Sequence, residues 1–203
     1  MDEETSWMVI AEQRLALADL LDGLTSDEWE RPSLCAGWRI RDVAAHVAMA
    51  PQPPGPAVML GAVVRARGSF DRLNHDLAVR HAACPPGEIV AELRRHAASR
   101  RLPAVTNYRN IVADVLVHSQ DIAVPLGRDL PLPTAAARAA ADRVWGMGWP
   151  FWARRRLRGV RLTATDTEWS VGTGEEVTGP ITALLLLLTG RTAAARPHLA
   201  GPV

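Results

Sequence analysis

Two polar side chains stand on a helical face that otherwise carries apolar residues. In the segment ADVLVHSQDIAVPLG (113–127), Asp114 and His118 are four residues apart, so on a helix their side chains lie on the same face. The other residues at that spacing are apolar: Ile111, Val115 and Ile122. A buried carboxylate is costly unless it is paired or bound to a metal. The pair therefore indicates a chemical role for this helix.

A third candidate, His46, repeats the pattern on an earlier predicted helix, Ile40–Ala50, where it lies among apolar residues at helical spacing. Inward carboxylates and imidazoles on facing helices are how helical bundles build metal centres. Two histidines and one carboxylate form a common zinc ligand set that leaves a fourth position for water or substrate. The same set suits non-haem iron, and the residue types alone do not distinguish these two metals from other divalent metals. The alternative is structural, with core histidines bonded to backbone carbonyls and a partly buried Asp–His ion pair.

Residues near the candidate ligands suggest supporting roles. Asp121 lies three residues after His118, on the same side of the helix, where it can orient that histidine, and a solvated surface position is the alternative. Gln120 is a further candidate for a residue that supports the metal ligands without binding the metal itself. Asp42 lies near the start of its helix, where a carboxylate favours the helix dipole, so we interpret it as structural. We interpret Cys35 as a small buried residue or an inert loop thiol, and a redox or ligand role is the alternative.

The elements that must position these residues follow from periodicity and chain breakers. The sequence predicts a helical bundle over roughly residues 1–150. A small α/β tail follows at 151–203, with a β-hairpin at 159–174 and a last helix. We expect this tail to pack on the bundle.

Local signals predict where individual helices begin and end. Thr25 and Glu28 predict a capping box, and Pro125 is expected to end the helix that carries His118. The predicted helical stretches are Glu4–Leu24, Ile40–Ala50, an apolar stretch Ala57–Val64 that runs on to about Ala82, Glu88–Arg100, Thr106–Val124, Ala135–Trp145 and Ile181–Leu188.

Composition is that of an ordinary globular chain of 203 residues, with 48% hydrophobic and 22% charged residues. Every basic residue is Arg, and the net charge of +1 gives no general attraction to nucleic acid or membranes. The longest apolar run, Ala183–Leu188, is far shorter than the ~20 residues of a membrane-spanning helix. From two cysteines and the acidic start MDEETSW we expect no disulfide framework, no secretory signal and a cytoplasmic location.

Three segments resemble the actinobacterial mycothiol-dependent maleylpyruvate isomerase-like family: WERPSLCAGWRIRDVAAH (29–46), 113–127 and TALLLLLTGRTAAARPHLAGP (182–202). The resemblance implies a mostly α protein in which a DinB-like four-helix bundle binds a metal, usually zinc. Its ligand positions match His46, Asp114 and His118, although the family pattern has Glu where this chain has the shorter Asp114. The tail looks shorter than the C-terminal domain of the full-length isomerases.

The resemblance also implies a function. In this family the open position at the metal takes the thiol of mycothiol or a water molecule. We therefore expect a divalent-metal-binding protein that acts as a mycothiol-dependent thiol transferase or isomerase on a small electrophilic substrate. A non-catalytic bundle that binds a metal or a small molecule is one alternative, and a metal-dependent hydrolase that uses bound water is another. The expected partners are a small-molecule thiol and the electrophile, with neither nucleic acid nor membrane, and a homodimer is left open.

Overall fold

Helices make up most of the structure, a computed structural model that describes residues 1–52, 60, 66, 69–102 and 106–202. The mostly α prediction is confirmed, whereas the predicted apolar stretch 57–64 lies, apart from residue 60, outside the described residues. The described helices are α1 (Glu3–Asp22), α2 (Ser26–Glu30), α3 (Ile40–Met49), α4 (Phe70–His81), α5 (Pro86–Arg95), α6 (Tyr108–Leu126), α7 (Thr134–Gly146), α8 (Ala153–Arg156), α9 (Ile181–Leu188) and α10 (Thr192–Ala195), with a 3-10 turn at Arg196–His198.

The predicted capping box at the start of α2 is confirmed. The Thr25 hydroxyl accepts a hydrogen bond from the Glu28 backbone N–H at 3.3 Å, and the Glu28 carboxylate accepts one from the Thr25 backbone N–H at 2.8 Å. Two N–H groups that lack partners inside the helix are thereby satisfied. The short α2 therefore begins at a fixed point of the chain.

Pro125 does not end α6 as expected but lies within its last turn. Proline has no N–H, so the carbonyl of Asp121, four residues earlier, loses its usual helical donor. The backbone N–H of Leu34 supplies the missing hydrogen bond at 3.1 Å. The helix continues because a loop from elsewhere in the chain satisfies the freed carbonyl.

The tail contains three strands, β1 (Val160–Ala164), β2 (Ser170–Gly172) and β3 (Glu175–Gly179), in the order β2-β1-β3. The antiparallel β1–β2 pair confirms the predicted hairpin, and β3, which sequence reasoning missed, lies parallel to β1 on its other side. The chain reaches that side through Gly172 and Gly174, which have φ of +81° and +118°. A Cβ on either glycine would collide with backbone atoms just before or within β1, so this crossing requires glycine.

The described chain forms two compact units. The first comprises Met1–Val9, Arg109–Val117 and Pro131–Val203, and the second comprises Ile10–Tyr108 and His118–Leu130. Helices α1 and α6 are continuous and contribute residues to both units. The division of the sequence at residue 150 stays a prediction.

Each unit has its own apolar core. In the first unit, α9 packs against α7 and the sheet, and its residues Ile181 and Leu184 are fully buried. In the second unit, α3 packs against α4 and α5, with Val43 and Ile89 fully buried. None of the described helices combines the length and the apolar character that crossing a bilayer requires.

Candidate metal centre

The structure brings the three predicted ligands, His46, Asp114 and His118, together. Helix α3 carries His46, while α6 carries the other two one turn apart. One candidate donor atom from each residue lies within 4.8 Å of the others, and all three side chains are half-buried. The two imidazole rings meet edge to face, with centroids 4.9 Å apart. Two imidazole nitrogens and one carboxylate oxygen therefore lie close together.

The donor set fits a divalent cation such as zinc. Ligands at about 2.0–2.1 Å from a tetrahedral zinc ion lie roughly 3.3 Å from one another, a separation compatible with the 4.8 Å limit on the distances between the observed donor atoms. Although Asp114 is one methylene shorter than the expected glutamate, its carboxylate still belongs to the cluster. The three side chains keep partial exposure to solvent. The fit supports zinc, while the ligand roles themselves stay predictions.

Asp121 contacts His118 directly. Its carboxylate is fully buried rather than solvated, and Oδ2 lies 2.8 Å from His118 Nδ1. An imidazole that donates its Nδ1–H to a carboxylate keeps the lone pair on Nε2, the nitrogen that can bind a metal. The contact therefore provides the geometry for the predicted orienting role of Asp121.

Gln120 makes a different contact. Its side chain is buried, and its amide nitrogen donates a hydrogen bond to the backbone carbonyl of Leu130 at 2.7 Å. This bond holds the connection that follows α6. A role for Gln120 around the metal stays a prediction, and its hydrogen bond to Leu130 supports a role in fixing the loop.

Two further residues lie beside the candidate ligands: Cys35, for which sequence reasoning favoured a structural interpretation, and Trp38, which it missed. The Cys35 thiol lies 3.0 Å from Asp121 Oδ2 and 3.9 Å from His118 Nδ1. The Trp38 ring meets the His46 ring edge to face at a centroid distance of 5.8 Å. Both residues come from the loop before α3, and no spacing rule joins this loop to α6. One signal for this contact was present in the sequence. Pro125 has no N–H, so it leaves the carbonyl of Asp121 without its helical hydrogen-bond donor, and a donor from elsewhere in the chain is expected there.

Asp42 has a structural role, as its position near the helix start suggested. Its carboxylate accepts two hydrogen bonds from the Arg39 guanidinium, at 2.8 and 2.9 Å, and one from the Arg39 backbone N–H at 2.9 Å. Burial alone would raise the pKa of Asp42, but these bonds outweigh it and hold the pKa below its usual value. The interaction fixes the first turn of the helix that carries His46.

Asp42→Asn is expected to lower the free energy of unfolding by about 1–2 kcal/mol at neutral pH, because a charge-assisted pair is lost. Since the folded-state pKa is depressed, the stabilisation is complete above the unfolded-state pKa and disappears as the pH falls through the folded-state value. The difference between variant and wild type should therefore shrink below about pH 4. Urea unfolding at neutral pH and in the acidic range measures this difference in the free energy of unfolding, with the exposed Asp27→Asn as control. A difference that is independent of pH would contradict this account.

The comparisons with known proteins agree on one family. Residues 10–108 match the family model of the mycothiol maleylpyruvate isomerase N-terminal domain, a range that includes His46 and ends before most of α6. Crystal structures of the mycothiol-dependent maleylpyruvate isomerase and of a histidine-to-alanine mutant of it share the fold. Each has a TM-score of 0.66 and 14% sequence identity. Among curated proteins, no match is found.

The fold likeness extends over nearly the whole chain. The superposition covers 99% of this chain and 93% of the isomerase, and the relative length of the tail stays a prediction. At this sequence identity the likeness shows the fold alone, and that fold is the expected DinB-like bundle with a small α/β appendage. Together with the match of residues 10–108 to the family model, it supports the predicted membership of the chain in the mycothiol-dependent maleylpyruvate isomerase-like family.

Proposed function

We propose that the chain binds one divalent metal ion, with zinc as the expected metal, and uses a small thiol of the mycothiol type to transform a small electrophilic substrate. The reaction would be a thiol transfer or a thiol-dependent isomerisation. The observation that carries this proposal is the cluster of His46, Asp114 and His118, whose donor atoms lie within 4.8 Å of one another. The family match of residues 10–108 supplies the thiol.

The charge of the cluster favours a thiolate. One carboxylate and two neutral imidazoles leave one positive charge of a divalent ion uncompensated. When bound, such an ion supplies a Lewis acid that lowers the pKa of a coordinated thiol or water molecule. Asp114 and the two histidines would hold the ion, and the contact of Asp121 with His118 Nδ1 would leave Nε2 of that imidazole available to it.

The location that we propose is the cytoplasm. Cys35 and Cys84 are both free thiols in the structure. A reducing compartment keeps such thiols from oxidation, and it also keeps a thiol co-substrate in its reactive form.

The proposal is tested with the full chain, loaded with zinc and supplied with mycothiol and a panel of electrophiles that includes maleylpyruvate. We expect product only when both zinc and mycothiol are present, and we expect its loss after treatment with a chelator. The consumption of electrophile and the formation of thiol conjugate or isomer are followed by liquid chromatography. Glutathione in place of mycothiol is the control for thiol recognition.

Three outcomes would overturn the thiol-dependent reaction. Zinc-dependent loss of substrate without any thiol would indicate a hydrolase that uses bound water. Stoichiometric zinc without turnover of any electrophile would indicate a binding protein. Product formation that survives removal of all metal would leave the cluster without its proposed role.

A further inference from the structure

The loop before α3, Ser33–Trp38 (SLCAGW), is held closed by its own hydrogen bonds, and we call it the clamp loop. The Ser33 hydroxyl accepts from the Cys35 N–H at 3.1 Å and donates to the Trp38 carbonyl at 2.9 Å. Two backbone bonds join Ser33 N to Trp38 O and Trp38 N to Cys35 O, each at 2.9 Å. Gly37 has φ of +80°, a conformation that favours glycine. The positions of Cys35 and Trp38 are therefore fixed relative to each other.

The clamp loop and the segment before it are attached to the end of α6. The Leu34 N–H donates to the Asp121 carbonyl that Pro125 leaves without a helical donor. Just before the loop, the Arg31 guanidinium donates to the carbonyl of Pro125 at 2.8 Å. These two bonds hold the loop against the last turns of the helix that carries His118.

Cys35 and His118 contact the same oxygen of Asp121. Oδ2 lies 3.0 Å from Cys35 Sγ and 2.8 Å from His118 Nδ1. Because a carboxylate accepts hydrogen bonds, the thiol and the imidazole N–H both donate to it. The thiol thereby fixes the carboxylate that fixes the imidazole.

We infer that Cys35 is a positioning residue of the metal centre, a role that rests on the proposed function. It acts on His118 through Asp121 and keeps the imidazole turned with Nε2 toward His46 and Asp114. At the other end of the same loop, Trp38 lies against the ring of His46. One loop therefore contacts residues on both helices that supply ligands.

A direct sulfur ligand is the competing interpretation. Cys35, His118 and Asp121 also have candidate donor atoms within 4.8 Å of one another. In the structure, however, Asp121 Oδ2 lies within hydrogen-bonding distance of both other residues. A metal bound by these three residues would have to displace both hydrogen bonds, whereas the set that contains His46 leaves them intact. We therefore assign the thiol to positioning.

The test compares the zinc affinity of the full-length wild type with that of Cys35→Ala and Cys35→Ser, by competition with a chromophoric chelator. The loss of an outer-shell partner typically costs roughly 10–100-fold in metal affinity, and we expect about 10-fold for Cys35→Ala. Serine also donates a hydrogen bond, so Cys35→Ser should stay within about threefold of the wild type. Cys84→Ala, which replaces another half-buried thiol, should leave the affinity unchanged.

Two further measurements separate positioning from folding and from ligation. Thermal unfolding of the metal-free variants should occur within about 2 °C of the wild type, because a half-buried side chain is changed. Cobalt(II) bound to the wild type should show ligand-field bands without a sulfur-to-cobalt charge-transfer band. That spectrum is independent of turnover.

Each contrary result has a distinct meaning. Unchanged zinc affinity in Cys35→Ala would overturn the positioning role while the proposed centre stands. A sulfur-to-cobalt band in the wild type that disappears in Cys35→Ser would also overturn it, because the thiol would then be a ligand. If the wild type itself binds no zinc, the proposed function fails and the inference fails with it.

Discussion

Replacing His118 by alanine is expected to abolish stoichiometric zinc binding. His118 belongs to the donor cluster, and its orientation is fixed by a buried carboxylate. Loss of an outer-shell partner alone costs roughly 10–100-fold in affinity, so loss of a ligand should cost at least about 100-fold. Zinc analysis after dialysis should give one equivalent for the wild type and a small fraction of that for the variant.

The same variant should lose the thermal stabilisation that zinc provides. A ligand present at about 100 times its Kd stabilises the folded state by roughly 2.7 kcal/mol. For a chain of 203 residues this corresponds to a Tm increase on the order of 5–10 °C. We expect this increase in the wild type and in His198→Ala, which changes an exposed histidine, and no increase in His118→Ala. Full zinc content in His118→Ala would exclude the ligand assignment.

The candidate ligands were predictable because they lie within single helices. The four-residue spacing of Asp114 and His118 fixes their relation on any helix, and apolar neighbours at helical spacing place His46 inward. Asp121, three residues after His118, followed from the same rule. Local geometry was sufficient for each of these side chains, and the structure brings the predicted ligands to one place.

The role of the clamp loop was not predictable in this way. The contact between Cys35 and Asp121 joins residues 86 positions apart, and no periodicity relates a loop to a distant helix. The third strand was missed for a similar reason. Its pairing with β1 depends on a crossing that Gly172 and Gly174 permit, whereas alternating residues and a turn predict only the neighbouring hairpin.

Substitution of Asp114 is the second change from which we expect a large effect on zinc affinity. It tests the predicted ligand position at which this chain has Asp instead of the expected Glu. Asp114→Ala removes the only carboxylate of the proposed ligand set, so zinc affinity should fall by at least about 100-fold, beyond the cost of losing an outer-shell partner. Asp114→Asn keeps the size of the side chain but removes its charge, and it should also bind zinc weakly. Asp129→Asn, which neutralises an exposed carboxylate, is the control for net charge.

Asp114→Glu should bind zinc at least as tightly as the wild type. Donor separations of up to 4.8 Å allow an approach to the roughly 3.3 Å separation of ligands on tetrahedral zinc. One added methylene lets the carboxylate make that approach without a shift of α6. Chelator competition on the four proteins should therefore rank glutamate and wild type together, far above asparagine and alanine. If Asp114→Ala retains the wild-type affinity, Asp114 is no ligand. The carboxylate charge in the proposed site then has to come from Asp121. To bind the metal, Asp121 would have to give up its hydrogen bond with His118 Nδ1.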